Sequence, residues 1–280
     1  MYTGPIVDAH HHIWRVADQP WLSGPMVPRI FGPYEPIRRD YLIDEYVAEA
    51  TACGITQSVY VQTNWPLDRV EDEVRWLREV HEQSGWPTAV VAAADMFADD
   101  APRGHAAAGR AHPAGAGRAA AAALARAARV PLRRRPPDRM KDPVFRKNVG
   151  ALAGLGWLFE LQVFPEQMAD AAELVADFPE VTFVLVHAGM LIGDADVPSW
   201  RSGLAALAGL PNVVVKLTGQ GTFVHRVDRG LISLVTDEVI GRFGAGRAMF
   251  GTNFPVEKLW TTMPPTGRRV EGRAGPPPAR

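Results

Sequence analysis

Asp8-Ala9-His10-His11-His12 gathers four ionisable side chains directly behind the apolar run Pro5-Ile6-Val7. Such a run reads as a short buried strand. On an extended backbone alternate side chains share a face, so His10 and His12 can reach one point beyond the strand's end. Imidazole suits zinc and its first-row neighbours, which makes that point a candidate cation site. The competing reading is three exposed histidines near a chain end. It is disfavoured because polar groups recur at the ends of later apolar segments.

Seven strand candidates position those groups. They are Pro5–His10, Gln57–Gln62, Thr88–Ala94, Leu158–Phe164, Val181–His187, Asn212–Leu217 and Arg247–Gly251. Helical patterns alternate with them. Leu67–Ser84 repeats Val70, Val74, Leu77 and Val80 at helical spacing. Pro165–Phe178 opens on a proline, whose missing N–H costs nothing at a helix start. Asp228–Phe243 stops at Gly244. Alternation of this kind predicts a parallel sheet, and near-continuous apolar strands predict burial of both its faces. The fold class is therefore α/β, a (β/α)8 TIM-type barrel, distorted or incomplete around the fourth strand and the last helix.

The fourth strand and the helix before it must fall between Ala101 and Pro137. That stretch is almost all Ala, Arg, Gly and Pro, with no Asp or Glu. It offers too little apolar area to offset the entropy of ordering itself. Two readings compete: a natural insertion, or a shifted reading frame, because codons built from G and C specify this vocabulary. Ordinary texture returns at Arg139-Met140-Lys141-Asp142, so the frame reading is preferred. Residues 261–280 share the same character, and their prolines oppose a closing helix. The expected organisation is one barrel domain over 1–260, interrupted at 101–137, with an irregular tail over 261–280. A missing strand leaves two open edges, from which low solubility or a homo-oligomer is expected.

Composition bounds the partners. A length of 280 residues suits one barrel domain. A net charge of −1 gives no electrostatic case for nucleic acid or for a membrane surface. The single cysteine, Cys53, leaves no internal disulfide and suits a reducing cytoplasm. No apolar run is long enough to span a bilayer. Dinucleotide, phosphate-loop and nucleophile-elbow motifs are absent.

In a (β/α) barrel the active groups stand at the C-terminal ends of strands. Taken in order, those ends carry His10 and His12, Gln62, Asp95, Gln162, His187, Lys216 and Asn253. Gln62 and Gln162 could bond a substrate oxygen, and could equally tie down loops. Lys216 follows three valines, where a buried amine is costly without a partner, so a place at the barrel mouth is expected. Trp14 could wall a substrate pocket, although aromatics beside strands usually pack. His81, on a charged helix, is expected to be solvated, and His225 to lie at the surface.

The blocks Val7-Asp8-Ala9-His10-His11-His12-Ile13-Trp14, Tyr60-Val61-Gln62, Leu185-Val186-His187-Ala188-Gly189, Val215-Lys216-Leu217-Thr218-Gly219 and Met249-Phe250-Gly251-Thr252-Asn253-Phe254-Pro255-Val256 together resemble the amidohydrolase-related branch of the amidohydrolase superfamily. The resemblance implies a hydrolase in which water attacks a carbonyl polarised by metal or by histidines. A lactone C–O bond is the expected target, an amide C–N bond less so. It implies His10, His12 and His187 as ligands of a divalent ion, zinc or manganese, or as groups acting directly on substrate where no metal is used. His187 and Asn253 fall at the catalytic positions, and Gln62, Gln162, Lys216 and Trp14 are candidate substrate contacts. The last strand usually carries aspartate, which activates water; here it carries Asn253. An amide neither ionises nor accepts that proton. Two alternatives follow: a metal-dependent decarboxylase of the same fold, or a binding protein without turnover.

Resequencing the gene is expected to return two compensating frame shifts flanking 101–137. One uninterrupted frame, shared by close relatives through this stretch, defeats that reading.

Overall fold

The computed structural model describes residues 4–99, 121–123 and 139–263. Eight parallel strands follow one another: β1 (Ile6–His11), β2 (Ile55–Val61), β3 (Ala89–Val91), β4 (Ala121–Ala123), β5 (Leu158–Leu161), β6 (Thr182–Leu185), β7 (Val213–Leu217) and β8 (Ala248–Phe250). Hydrogen bonding joins them in chain order as β1-β2-β3 and β4-β5-β6-β7-β8. The β8–β1 seam is bridged just beyond the strands. Asn253 N–H donates to the His10 carbonyl and His12 N–H to the Phe254 carbonyl, both at 2.7 Å. With helices returning between strands, this is the (β/α)8 barrel topology.

The count of seven strands is corrected to eight. The additional strand lies inside the anomalous segment, with Ala121 beside Leu158 and Ala123 beside Glu160. Alanine has little preference for strands, so nothing in its pattern announces one. Among the described residues no ladder joins β3 to β4. The segment around β4, and the expected tail beyond Met263, lie outside the described residues.

Among the described residues the helices are α1 (Pro20–Ser23), α2 (Ile43–Ala52), α3 (Val70–Ser84), α4 (Pro143–Leu155), α5 (Met168–Asp177), α6 (Val197–Ala208), α7 (Gln220–Val224) and α8 (Arg229–Phe243). Their ends follow local chemistry. Asp142 caps α4, accepting from Val144 N–H and Phe145 N–H at 2.8 and 3.0 Å, with Pro143 at the first helical position. Asp228 caps α8 through Leu231 N–H at 3.0 Å. The patterns beginning at Leu67 and Pro165 start as single tight turns before α3 and α5. His81 corrects its expectation: its Nδ1 meets the Pro87 carbonyl at 2.8 Å and the ring is half-buried.

Two apolar clusters fill the space between strands and helices. One centres on β5, β6 and β7, where Phe145, Phe159 and Phe183 meet edge to face at 5.8 and 5.9 Å. The other gathers Trp14, Tyr34, Tyr41, Tyr46 and Tyr60 beside β1 and β2. Phe183 is wholly buried and Ile240 is not. Phe183→Ala is therefore expected to cost about 3–5 kcal/mol in urea denaturation. Ile240→Ala, on the exposed side of α8, should cost within about 0.5 kcal/mol.

Candidate active site at the barrel mouth

Strand alternation divides the three histidines of β1. His10 and His12 stand on one side with ring centroids 5.0 Å apart and planes at 84°. His11 turns the other way and stacks on Tyr46 at 3.7 Å. His187 follows β6 in a turn whose residues His187, Ala188 and Met190 all take left-handed backbone angles. Such angles are costly for side-chain-bearing residues and cluster where function over-determines the backbone. The turn brings the His187 ring 4.9 Å from that of His10. Imidazoles from the first and sixth strands thus meet at one end of the barrel.

Neighbouring polar groups fix these rings. The Asp8 carboxylate accepts from His10 N–H (3.0 Å), Tyr46 O–H (2.9 Å), Thr252 N–H (2.9 Å) and Thr252 O–H (2.5 Å). Burial pushes the Asp8 pKa up, and these hydrogen bonds oppose that rise. His12 Nδ1 donates to the Val61 carbonyl at 2.8 Å and His187 Nδ1 to the Thr218 carbonyl at 3.1 Å. Gly219, next along from Thr218, has φ of 75° and leaves room for the His187 ring. A Cβ there would lie 2.4 Å from His187 Nδ1.

Lys216 does have a partner: its Nζ donates to Glu160, and both side chains are buried. The ammonium acts on all three rings. Burial, with Lys216 and the neighbouring imidazoles adding to it, holds His10 well below the usual histidine range. Burial lowers His12 to about 4, against the Val61 and Asn253 oxygens, which favour the protonated ring. Burial, then His12, lowers His187 to about 3, against its bond to Thr218. The three rings are neutral at neutral pH.

The remaining candidates divide. Gln62 is buried and its Oε1 accepts from Asn64 N–H at 2.7 Å, tying down the loop after β2. Gln162 is half-buried just beyond β5. Trp14 is buried behind His12, ring centroids 6.4 Å apart, with its indole N–H on the Arg39 carbonyl. That placement supports packing against His12. His225 stacks on Trp260 at 5.0 Å and meets the Ile30 carbonyl at 2.9 Å. Asn253 joins the site: its Oδ1 lies 3.2 Å from His12 Nε2. Glu160 and Thr222 escaped the sequence-based set of candidates. A signal existed for Glu160, a lone charge between Phe159 and Leu161 on one barrel strand, matched by Lys216 on another.

The donor chemistry suits a divalent cation. With Nδ1 of His12 and of His187 committed to carbonyls, each Nε2 presents a lone pair. Asn253 Oδ1 adds another, and His10 Nδ1 is buried without a partner. Among the described residues, no three His, Cys, Asp or Glu side chains are arranged to hold an ion.

A (β/α) barrel whose mouth gathers imidazoles from the first and sixth strands defines a barrel hydrolase. The chain belongs to the amidohydrolase family, whose model matches residues 7–279. It is 30% identical over 260 residues to an uncharacterised protein y4mH of Sinorhizobium fredii, covering 92% of this chain and 87% of that one. It is 29% identical to an L-fucono-1,5-lactonase of Burkholderia multivorans, covering 89% and 82%. A crystal structure of an amidohydrolase from Burkholderia multivorans with bound zinc superposes with a TM-score of 0.73 at 27% identity, covering 91% and 86%. Among the described residues no helix is long and apolar enough to cross a membrane.

Unfolded histidines take up protons near 6.5, whereas folded His12 and His187 do so only near 4 and 3. Between those values the unfolded state binds more protons. The metal-free protein should therefore lose unfolding free energy as pH falls from about 7 to 4. Urea denaturation across that range checks it; His12→Asn and His187→Asn should each flatten the slope.

Proposed function

We propose that this hydrolase opens a lactone, with a sugar 1,5-lactone the first substrate to try. The observation that carries the reading is the meeting of His10, His12 and His187 beside Lys216 at one mouth. The similarity to L-fucono-1,5-lactonases supports the substrate class. His10, His12, His187 and the Asn253 amide oxygen would hold a divalent cation, zinc or manganese. When bound, it supplies a Lewis acid for the carbonyl and an acidified water.

The chain's own residues then do the following. His12 and His187 keep Nε2 unprotonated, because burial and Lys216 oppose the imidazolium. At neutral pH each Nε2 therefore keeps its lone pair. Lys216 gives one N–H to Glu160 and keeps two for a substrate oxygen. Gln62 spends its carbonyl oxygen on Asn64 and keeps its amide N–H groups. Water adds to the carbonyl carbon, the ring C–O bond breaks, and the water proton ends on the departing alkoxide. A cytoplasmic homo-oligomer completes the proposal: one cysteine suits a reducing compartment, and an edge between β3 and β4, which no ladder joins among the described residues, would suit association.

Zinc- or manganese-loaded protein should hydrolyse at least one member of a sugar-lactone panel. His10→Ala and His187→Ala should each lower turnover by ~100-fold or more, a loss on the scale of one positioned catalytic group. Their circular dichroism should match the parent. Parental turnover in both variants refutes the assignment. Carbon dioxide release from aromatic or enoic acids, without lactone opening, moves the reaction to decarboxylation.

A further inference from the structure

Glu257 is a buried carboxylate at the mouth that the proposed reaction leaves unused. It lies in the tight turn Val256–Leu259 after β8. Its Oε1 accepts from Thr222 N–H at 2.8 Å and from Thr222 O–H at 2.5 Å. Its other oxygen occupies room that exists only because residue 221 is glycine: a Cβ there would stand 2.3 Å from Oε2. Its own N–H donates to the Asn253 carbonyl at 3.1 Å. From Thr222 the chain of contacts continues. Asn253 Nδ2 lies 2.9 Å from Thr222 Oγ1, and Asn253 Oδ1 lies 3.2 Å from His12 Nε2.

The directions of these bonds follow from counting protons. Burial raises the Glu257 pKa and its bonds from Thr222 and Asn253 oppose that rise; as a carboxylate it only accepts, so the one hydroxyl proton of Thr222 goes to it. The Thr222 oxygen must then accept from Asn253, and only Nδ2 can donate. That choice sets the amide, whose two ends otherwise exchange by a half-turn. Its oxygen faces His12. At the far end the Val61 carbonyl takes the Nδ1 proton of His12, leaving a lone pair on Nε2. Two lone pairs therefore face each other, which is what a cation satisfies and what a loosely held amide would avoid by flipping.

We propose that Glu257, through Thr222 and through its own contact with the Asn253 amide, is a positioning residue that locks that amide with its oxygen toward His12, so that asparagine serves the mouth as an oxygen donor. The cation this donor would serve rests on the function proposed above. The lock itself does not, and it can be measured in metal-free protein.

The side-chain amide of Asn253 is assigned by ¹H–¹⁵N NMR from the signals lost in Asn253→Asp. In the parent one amide proton should exchange slowly. Thr222→Val should move those signals and speed exchange about tenfold, the loss expected for one hydrogen bond. Thr222→Ala, which removes the hydroxyl without adding bulk, should do the same, and Thr222→Ser should keep the parental pattern. In zinc titrations Thr222→Val and Thr222→Ala should bind about tenfold more weakly than the parent, and Thr222→Ser should not. Unchanged Asn253 signals in Thr222→Val and Thr222→Ala overturn the lock. A parent that binds no zinc removes the metal from the proposed function, while the NMR comparison still decides the lock.

Discussion

The Asp8 carboxylate determines where the barrel's ends meet. It takes hydrogen bonds from β1 itself, from Tyr46 on α2 and, twice, from Thr252 beyond β8. Removing a carboxylate from water costs several kcal/mol. Hydrogen bonds to a charged group return roughly 1.5–3 kcal/mol each, so four of them can offset that cost. An interaction that balances so closely tolerates no loss of a donor. Its geometric effect exceeds its net energy. With Thr252 held against Asp8, Asn253 N–H reaches the His10 carbonyl and His12 N–H reaches that of Phe254. The groups of the mouth sit on the two segments that this carboxylate joins.

A second constraint is electrostatic. Lys216 and Glu160 form an ion pair inside the barrel, and a buried pair is poor value as a source of stability. Packed apolar side chains would serve the core at least as well. At the mouth the pair's ammonium adds to what burial does. The ammonium opposes protonation of His10, His12 and His187. Neutral imidazole is the form that can donate a lone pair. The backbone carbonyls of Val61 and Thr218 then choose the tautomer, leaving Nε2 free in two of the rings. Burial and the ammonium keep the rings neutral against the pull of the carbonyls, and the carbonyls decide which nitrogen keeps the proton.

How much of this was legible in the sequence depends on the range of the interaction. Apolar runs announced seven strands because burial writes itself into local composition. Parity announced that His10 and His12 share a side, and His11 stacking on Tyr46 follows from the same alternation. The fourth strand was silent, since Ala121–Ala123 carries no pattern. The partners were silent for another reason. Glu160 and Lys216 are 56 residues apart, and Asp8 and Thr252 are 244 apart. Nothing local to either member encodes such a pairing. Trp14 shows the converse limit: its place beside the strand was readable, but its packing behind His12 depends on α1 and on the loop carrying Arg39.

Asn253 serves both as a turn residue and as a site residue. Its φ is 56°, a left-handed angle that asparagine and aspartate tolerate better than most residues. Backbone geometry alone therefore does not choose between them. The hydrogen bonds do. Thr222 has one proton, and Glu257 takes it, so whatever stands at position 253 must give a hydrogen to the Thr222 oxygen. An amide can; an ionised carboxylate cannot, and it would bring a second buried negative charge toward the first. With Glu257 in place, asparagine is the residue that accepts the backbone angle, completes the bond to Thr222 and still turns an oxygen to His12. The departure from aspartate is thus matched by its surroundings, and a damaged site would have no reason to show that match.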